Sequence, residues 1–435
     1  MSNSVYELVE KLYPFNYGIA SKGNDDAIKV FCEELPFKVF EYSEGSELNG
    51  WIIPNGQLVT KAEIRQNGKL IYDGLSHALG TISQCAPFKG RVDLETLKSH
   101  LYYKNDSPDA IVFHFSQYYK PGRNLNWGFC IPKNLYDSLE QGDYDIEIIV
   151  EPYQTSMKVL EYVLPGRSKK SLLLNGHNCH PFQANDDISG CAVGIKVMHR
   201  LAKLEKRELT YRLLIAPELI GPLFWLEELG SEVENIDAGI ILAALGNDAN
   251  LKLQDSFTGS SSIDSIAHNL MKNRYGKYET GGFREIYGND ETVFEAPGIE
   301  IPTISMTRYP WEDYHTSKDT PSRLSKKRLE DSLEAVYDCC IAFDRNVKFR
   351  FTKKGLCCLS NKKFNLYIPA YDPSNRTGPK NREEHRNWYL LMTYLPRLLD
   401  GNMRLITLSE RFEIPIEEVY DDCLKWVDKG LLEYT

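Results

Sequence analysis

From about residue 140 to about residue 345, short uninterrupted apolar runs alternate with stretches of helical period, and this limits the fold more than any other feature. Ser171-Leu-Leu-Leu-Asn, Tyr211-Arg-Leu-Leu-Ile-Ala and Ala238-Gly-Ile-Ile-Leu-Ala-Ala read as strands. Ser189 to Leu204 and Phe224 to Gly230 read as helices between them. Strands without polar alternation are buried on both faces, so the pattern predicts an α/β protein: a mixed sheet with helices on both faces.

The flanks have other textures. Residues 2–35 read as two helices, the second capped by Asn24 or Asp25. From 38 to 132, short alternating stretches such as Lys38-Val-Phe-Glu-Tyr and Ala110-Ile-Val-Phe-His-Phe are punctuated by Asn55-Gly56, Asn67-Gly68 and Pro121-Gly122. That is an all-β signature, expected as a small inserted domain. The α/β domain is then discontinuous, 1–37 plus 133–347, followed by a connecting segment, 348–379. Residues 380–435 read as three helices and a closing strand at Gly430-Leu-Leu-Glu-Tyr.

Charge and cysteine usage exclude several roles. The formal net charge is −10, which disfavours a phosphate backbone as partner. No run reaches the roughly 18 apolar residues of a membrane span, and the first residues lack a signal-peptide pattern. Ten scattered cysteines, two pairs of them adjacent, read as reduced thiols in a cytoplasmic protein.

The densest polar cluster follows a buried strand: Leu172-Leu-Leu-Asn-Gly-His177-Asn-Cys-His180-Pro-Phe-Gln-Ala-Asn185-Asp186-Asp187-Ile-Ser189-Gly190. Ligands in α/β sheets bind beyond the carboxyl ends of strands. Histidine nitrogen and carboxylate oxygen are zinc donors, and a catalytic zinc keeps one position open for water. The bland alternatives are a helix cap at Asp186 or Asp187 and a hydrogen-bonded strand-end histidine. Two further strand ends raise the metal reading: Arg212-Leu-Leu-Ile-Ala-Pro-Glu218-Leu-Ile-Gly221 and Tyr314-His315-Thr-Ser-Lys-Asp319-Thr320. Only nine histidines occur in the chain, and three of them fall at such positions.

In this order the motifs resemble those of the zinc exopeptidase superfamily of bacterial leucyl aminopeptidases and related carboxypeptidases. The matching positions are Gly176-His177, Asp186-Asp-Ile-Ser189-Gly190, Glu218-Leu-Ile-Gly221 and Tyr314-His315-Thr-Ser-Lys-Asp319-Thr320. Cys179-His180-Pro181-Phe-Gln-Ala184-Asn185 and Trp127-Gly128-Phe129-Cys130 are similar to a bacterial aminopeptidase-like subfamily with an inserted β domain and a C-terminal winged-helix domain. The resemblance implies that Asp186 is the central metal ligand, His315 a second ligand and Glu218 the general base. Its Gly-His alignment points to His177 as a further ligand, while the Cys-His-Pro motif points to His180, which matches over more residues.

The sequence also departs from that pattern. Leu219 stands where the family has a metal-binding glutamate, and Asp248 is only a loose match for the next carboxylate; Asp290 is another candidate. The resemblance so modified implies one zinc rather than two, held by His180, Asp186 and His315. The alternative is that Glu218 itself binds metal. The implied activity is hydrolysis of an amide or peptide bond, of aminopeptidase type, by a zinc-activated water with Glu218 as base. Glu285, Asp290 or Glu291 would meet a substrate's free amino terminus. Two other readings are an amidase or deacylase of surface-polysaccharide metabolism and a non-catalytic regulator with a degenerate metal site.

The tail and the aromatic run complete the expectations. Residues 381–435 carry seven Lys+Arg and eleven Asp+Glu, so a winged helix there is expected to pack or to pair two copies of the chain rather than bind DNA. Phe113-His-Phe-Ser-Gln-Tyr118-Tyr119 with Trp127 is either core of the β domain or a wall of the active site.

Overall fold

The computed structural model describes residues 4–115, 117, 124–372 and 381–435. Its main sheet has eight strands in the spatial order Lys38–Ser43, Ser156–Leu164, Thr210–Ala216, Ser171–His177, Ile236–Ala243, Thr303–Thr307, Lys252–Gln254 and Glu279–Gly281. The four central strands, Thr210–Ala216 through Thr303–Thr307, run parallel. Antiparallel strands flank them on both sides. Ser171–His177 and Thr210–Ala216 are buried at every position, as their unbroken apolar sequences require.

Successive crossovers leave the Ser171–His177 strand in opposite directions. The chain passes through the helix Ser189–Leu201 to Thr210–Ala216 on one side, then through Ile220–Leu229 to Ile236–Ala243 on the other. The first helix packs into one core with Val5–Leu12 and Lys326–Asp344, and the second lies in a separate core around Trp225 and Phe294. A strand whose neighbours are reached over opposite faces leaves a crevice at its carboxyl end. Gly190 lets the helix start close to that end: a Cβ there would stand 2.1 Å from the Leu242 carbonyl and 2.4 Å from the Asp187 carboxylate.

The second sheet is antiparallel, ordered Lys69–Asp73, Gly56–Gln66, Asp143–Tyr153 and Phe88–Asp93. Its strand pairing differs from the expected 38–132 boundaries at both ends. Lys38–Ser43 belongs to the main sheet, and Asp143–Tyr153 pairs along almost the whole of Gly56–Gln66. Asn67 and Gly68 make the hairpin turn, both with positive φ. Gly56, expected in a turn, instead begins a strand opposite Tyr153. The expected turn at Pro121-Gly122 and the aromatic residues Tyr118 and Tyr119 lie outside the described residues. Ala110 to Phe115 is not a strand; it forms one bridge, Val112 to Thr316, and Phe113 N–H donates to the His315 carbonyl at 2.8 Å.

At the amino end the helix Lys22–Glu34 starts earlier than expected, because Ser21 caps it by accepting from Asn24 N–H at 3.2 Å. Toward the carboxyl end, Lys348–Phe351 pairs with Asp400–Arg404 and Leu432–Tyr434. Three helices, Arg382–Leu398, Leu405–Phe412 and Ile416–Asp428, pack with this small sheet, and their apolar residues join the core that holds Ser189–Leu201. No described helix is long and apolar enough to cross a membrane.

Candidate metal centre

The parallel strands deliver their carboxyl ends to one edge, and the polar motifs gather there. Asp186 is at the middle, with 1 % of its side chain exposed. Its two oxygens face different partners. Oδ1 lies 3.3 Å from His177 Nε2 and accepts from the Tyr287 hydroxyl at 2.8 Å. Oδ2 lies 3.4 Å from His180 Nε2 and 3.1 Å from His315 Nε2. His177 and His180 are as buried as Asp186, whereas His315 is 19 % exposed and marks the open side. The two histidines that compete for one role in the sequence therefore both reach Asp186, at opposite oxygens.

Each element of the frame has an identifiable anchor. Asp187 accepts from the backbone N–H groups of His177 (3.3 Å), Gly190 (3.1 Å) and Ala244 (3.2 Å), so it ties strand end, helix start and neighbouring strand together. The helix-cap reading of the acidic pair applies to Asp187 and not to Asp186. Asp319 accepts from Asn185 N–H at 2.8 Å and Asp186 N–H at 3.1 Å. The loop that carries His315 thus also fixes the peptide of Asp186. His180 Nδ1 lies 2.9 Å from the Pro181 carbonyl, which leaves Nε2 directed at Asp186. His177 Nδ1 lies 3.5 Å from the Asp187 carboxylate and 3.1 Å from the Asn289 amide. Orienting bonds on one imidazole nitrogen are the usual support of a metal-binding histidine.

Among the described residues, donor atoms come within 4.8 Å of one another in two groups: His180, Asp186 and His315, and His177, Cys179 and Glu218. Two nitrogens and one carboxylate oxygen match the three-ligand shell of a catalytic zinc. The electrostatics are those of a cation site. Burial opposes ionisation of Asp186, but hydrogen bonds from His177, His180 and His315 outweigh it and hold the carboxylate well below its ordinary range. Burial opposes protonation of His177, yet the Asp186 hydrogen bond and the charges of Asp187 and Asp186 lift it to about 10. A nest of this kind attracts positive charge, whether proton or metal ion. Burial pushes Glu218 up to about 8, with the charges of Asp290 and Asp186 adding to the effect and His177 opposing it.

The other candidate carboxylates are occupied or remote. Asp290 is fully buried, accepting from Leu219 N–H at 2.6 Å and from the Asn175 amide at 2.7 Å. It supports the backbone beside Glu218 and adds no donor to either group. Asp248 is exposed and lines a separate cavity of about 600 Å³ with Asn185, Trp311 and Asp319. Glu285 is exposed and accepts from Gly282 N–H, while both oxygens of buried Glu291 accept from Asn289 N–H.

The aromatic run divides between its two readings. Trp127 is core, stacked between His100 and Phe88 at 3.7 and 4.3 Å. Phe113 stacks on His180 at 4.3 Å, and Phe115 meets His315 edge-on at 5.1 Å. Tyr314 stacks on His315 at 3.8 Å. Sequence reasoning missed Cys179, Tyr287 and Asn289 as site residues. The spacing His177-x-Cys179 after a strand was a usable signal for the first; the other two reach the centre from more than 100 residues away.

Sheet order, crevice and strand-end motifs together define an aminopeptidase-like α/β fold. The chain belongs to the family described as a domain of unknown function, DUF4910, whose model matches residues 6–346. It is 28% identical over 345 residues to a Clostridium acetobutylicum protein named for polysaccharide biosynthesis and an aminopeptidase-like domain, covering 79% of this chain and 78% of the relative. A crystal structure of a C. acetobutylicum protein described as a peptidase matches with a TM-score of 0.81 at 24% identity, over 99% of this chain and 96% of that one. A zinc aminopeptidase from Bacillus subtilis matches with a TM-score of 0.59 at 15% identity, over 77% and 93%.

Proposed function

We propose that this protein is a metal-dependent hydrolase of amide or peptide bonds, of aminopeptidase type, with one zinc ion held by His180, Asp186 and His315. The observation that carries the reading is the buried Asp186 carboxylate, whose Oδ2 faces two histidine Nε2 atoms at 3.1 and 3.4 Å. A bound zinc ion supplies Lewis acidity and makes water acidic enough to attack near neutral pH. Glu218 takes the proton of the attacking water and passes it to the leaving amine. Its raised proton affinity suits a base that must also act as acid near neutrality. Tyr287 holds Asp186 by its hydroxyl, and Phe113 and Phe115 keep bulk water from the two histidines.

A second reading, an amidase or deacylase acting on a polysaccharide precursor, has its own support. Asp290, Glu291 and Glu285, the carboxylates expected to meet a free amino terminus, are each engaged with backbone N–H groups. The Clostridium relative's name also points to polysaccharide biosynthesis. The unpaired thiols support a reducing cytoplasm as the site of action. The acidic C-terminal segment is read as a packing or self-pairing module.

Metal analysis of the purified chain is the first test. Stoichiometric zinc, lost on Asp186→Ala or His315→Ala, is expected; a folded protein that takes up no divalent ion would refute the enzyme and leave the regulator. A panel of aminoacyl anilides and N-acetylated hexosamines then separates peptidase from deacylase.

A further inference from the structure

We infer that the cavity of about 600 Å³ beside the Asp186 cluster is a carbohydrate site, which holds a neutral, hydroxyl-rich ring next to Trp311. Its volume falls in the range of small-ligand sites. The inference stands apart from the proposed hydrolase, because no residue of either donor group lines the cavity.

Two buried donors carry it. Asn185 lines the cavity and is 1 % exposed. Its Oδ1 accepts from Gly246 N–H at 2.8 Å, which fixes the amide, and its Nδ2 has no hydrogen-bond partner among the described residues. Trp311 Nε1 is likewise without an acceptor, although the indole is packed edge-on against Tyr309 and Tyr314 at 6.0 and 5.0 Å. Buried donors, an indole N–H included, are normally paired. Two such donors lining one cavity call for a ligand that brings oxygen atoms.

The rest of the lining selects among oxygen ligands. It holds four acidic side chains, Asp248, Glu312, Asp313 and Asp319, and one basic one, Arg323. Arg323 is already engaged: Nε donates to Asp313 and a terminal nitrogen to Glu312, each at 2.6 Å. A phosphate or carboxylate ligand would meet an excess of like charge. A cation would answer the acids and leave both donors unpaired. A hydroxyl does both, because it donates once and accepts at two lone pairs. The indole adds apolar surface for the C–H edges of a ring.

The cavity shares a wall with the Asp186 cluster. Asp319 accepts from the N–H groups of Asn185 and Asp186. Tyr314, which packs against Trp311, stacks on His315 at 3.8 Å. A ring bound here is thus one residue along the chain from Asp186 and one aromatic side chain away from His315.

Ligand-observed NMR titration of the full-length chain with glucose, galactose and N-acetylglucosamine tests this. Glucosamine and glucuronate, run slightly below neutral pH, are the cationic and anionic counterparts. The expected result is millimolar or tighter binding of at least one neutral sugar, and weaker binding of the charged ones. Trp311→Phe keeps an aromatic ring and deletes the N–H; it and Asp248→Ala should each raise Kd by about three- to tenfold. The chelator-stripped chain should bind the sugar as well as the metal-loaded one. No binding of any neutral sugar at tens of millimolar, or tighter binding of either charged probe, would overturn the site. So would an affinity unchanged in both variants, or one lost with the metal. Stoichiometric zinc without sugar binding would leave the hydrolase and remove the carbohydrate site; sugar binding by a chain that takes up no zinc would do the reverse. Circular dichroism of each variant confirms that it is folded.

Discussion

The two donor groups that meet at Asp186 are built on different principles. His180 and His315 come from loops and are oriented by a backbone carbonyl and by stacked rings, and His315 faces the open side. His177 and Glu218 come from adjacent strand ends, with Cys179 between them. Their orientation comes from buried acids and amides: Asp187, Asn289 and Asp290. Loop-borne donors can adjust to a substrate and a changing coordination number. Strand-borne donors cannot, and they suit an ion that stays put or a base that must be aimed. The difference suits the first group to the proposed metal ion and the second to an aimed base.

The comparison breaks most visibly at the shared residue. Asp186→Asn is expected to empty the His180–Asp186–His315 group, with a fall in kcat greater than that of any other single change; metal content and turnover measure it. Retention of the ion would mean that this carboxylate is not the central ligand. Next comes Glu218→Gln, expected to cost about 10²–10⁴-fold in kcat while the His180–Asp186–His315 group stays loaded. A loss confined to KM would remove Glu218 from proton transfer.

A smaller effect concerns stability and pH. Burial raises Glu291 from 4.5 to about 7. Between those values the folded chain holds a proton that the unfolded chain has released. Stability of the metal-free protein therefore falls as pH rises through that window, by at most about 3 kcal/mol. Glu291→Gln should flatten the fall in urea midpoints taken between pH 4.5 and 7.5; an unchanged slope would contradict it. Smallest is Phe113→Ala, expected to cost about 1 kcal/mol through the lost stacking on His180. Thermal melts check this, and the His177 group should be untouched.

Much of the frame was legible because it is encoded locally. Strands buried on both faces write continuous apolar runs; His177 ends one, and Glu218 and His315 lie in the segments that follow two others. What was not legible depends on the path of the loop between residues 178 and 185. That path, with Phe182 at positive φ, turns His180 back beneath Asp186, so that two histidines three residues apart address different oxygens. The function of Asp290 was equally hidden. A carboxylate beside a candidate base reads as a ligand until its partners are known, and Leu219 N–H is 71 residues away in the chain. The boundary of the inserted sheet was misread because Lys38–Ser43 and Asp143–Tyr153 have the same alternating texture whichever sheet they join.

The seam between residues 111–113 and 315–317 has a consequence for the architecture as a whole. Ile111 and Ser317 exchange two hydrogen bonds, Phe113 donates to His315, and Val112 bridges to Thr316. Segments about 200 residues apart are thus stitched together at His315, the proposed ligand. The insertion is therefore not a detachable ornament on the α/β body. A version trimmed back to the α/β part would lose the support of His315, and any slackening of the insertion would be felt first at the Asp186 cluster.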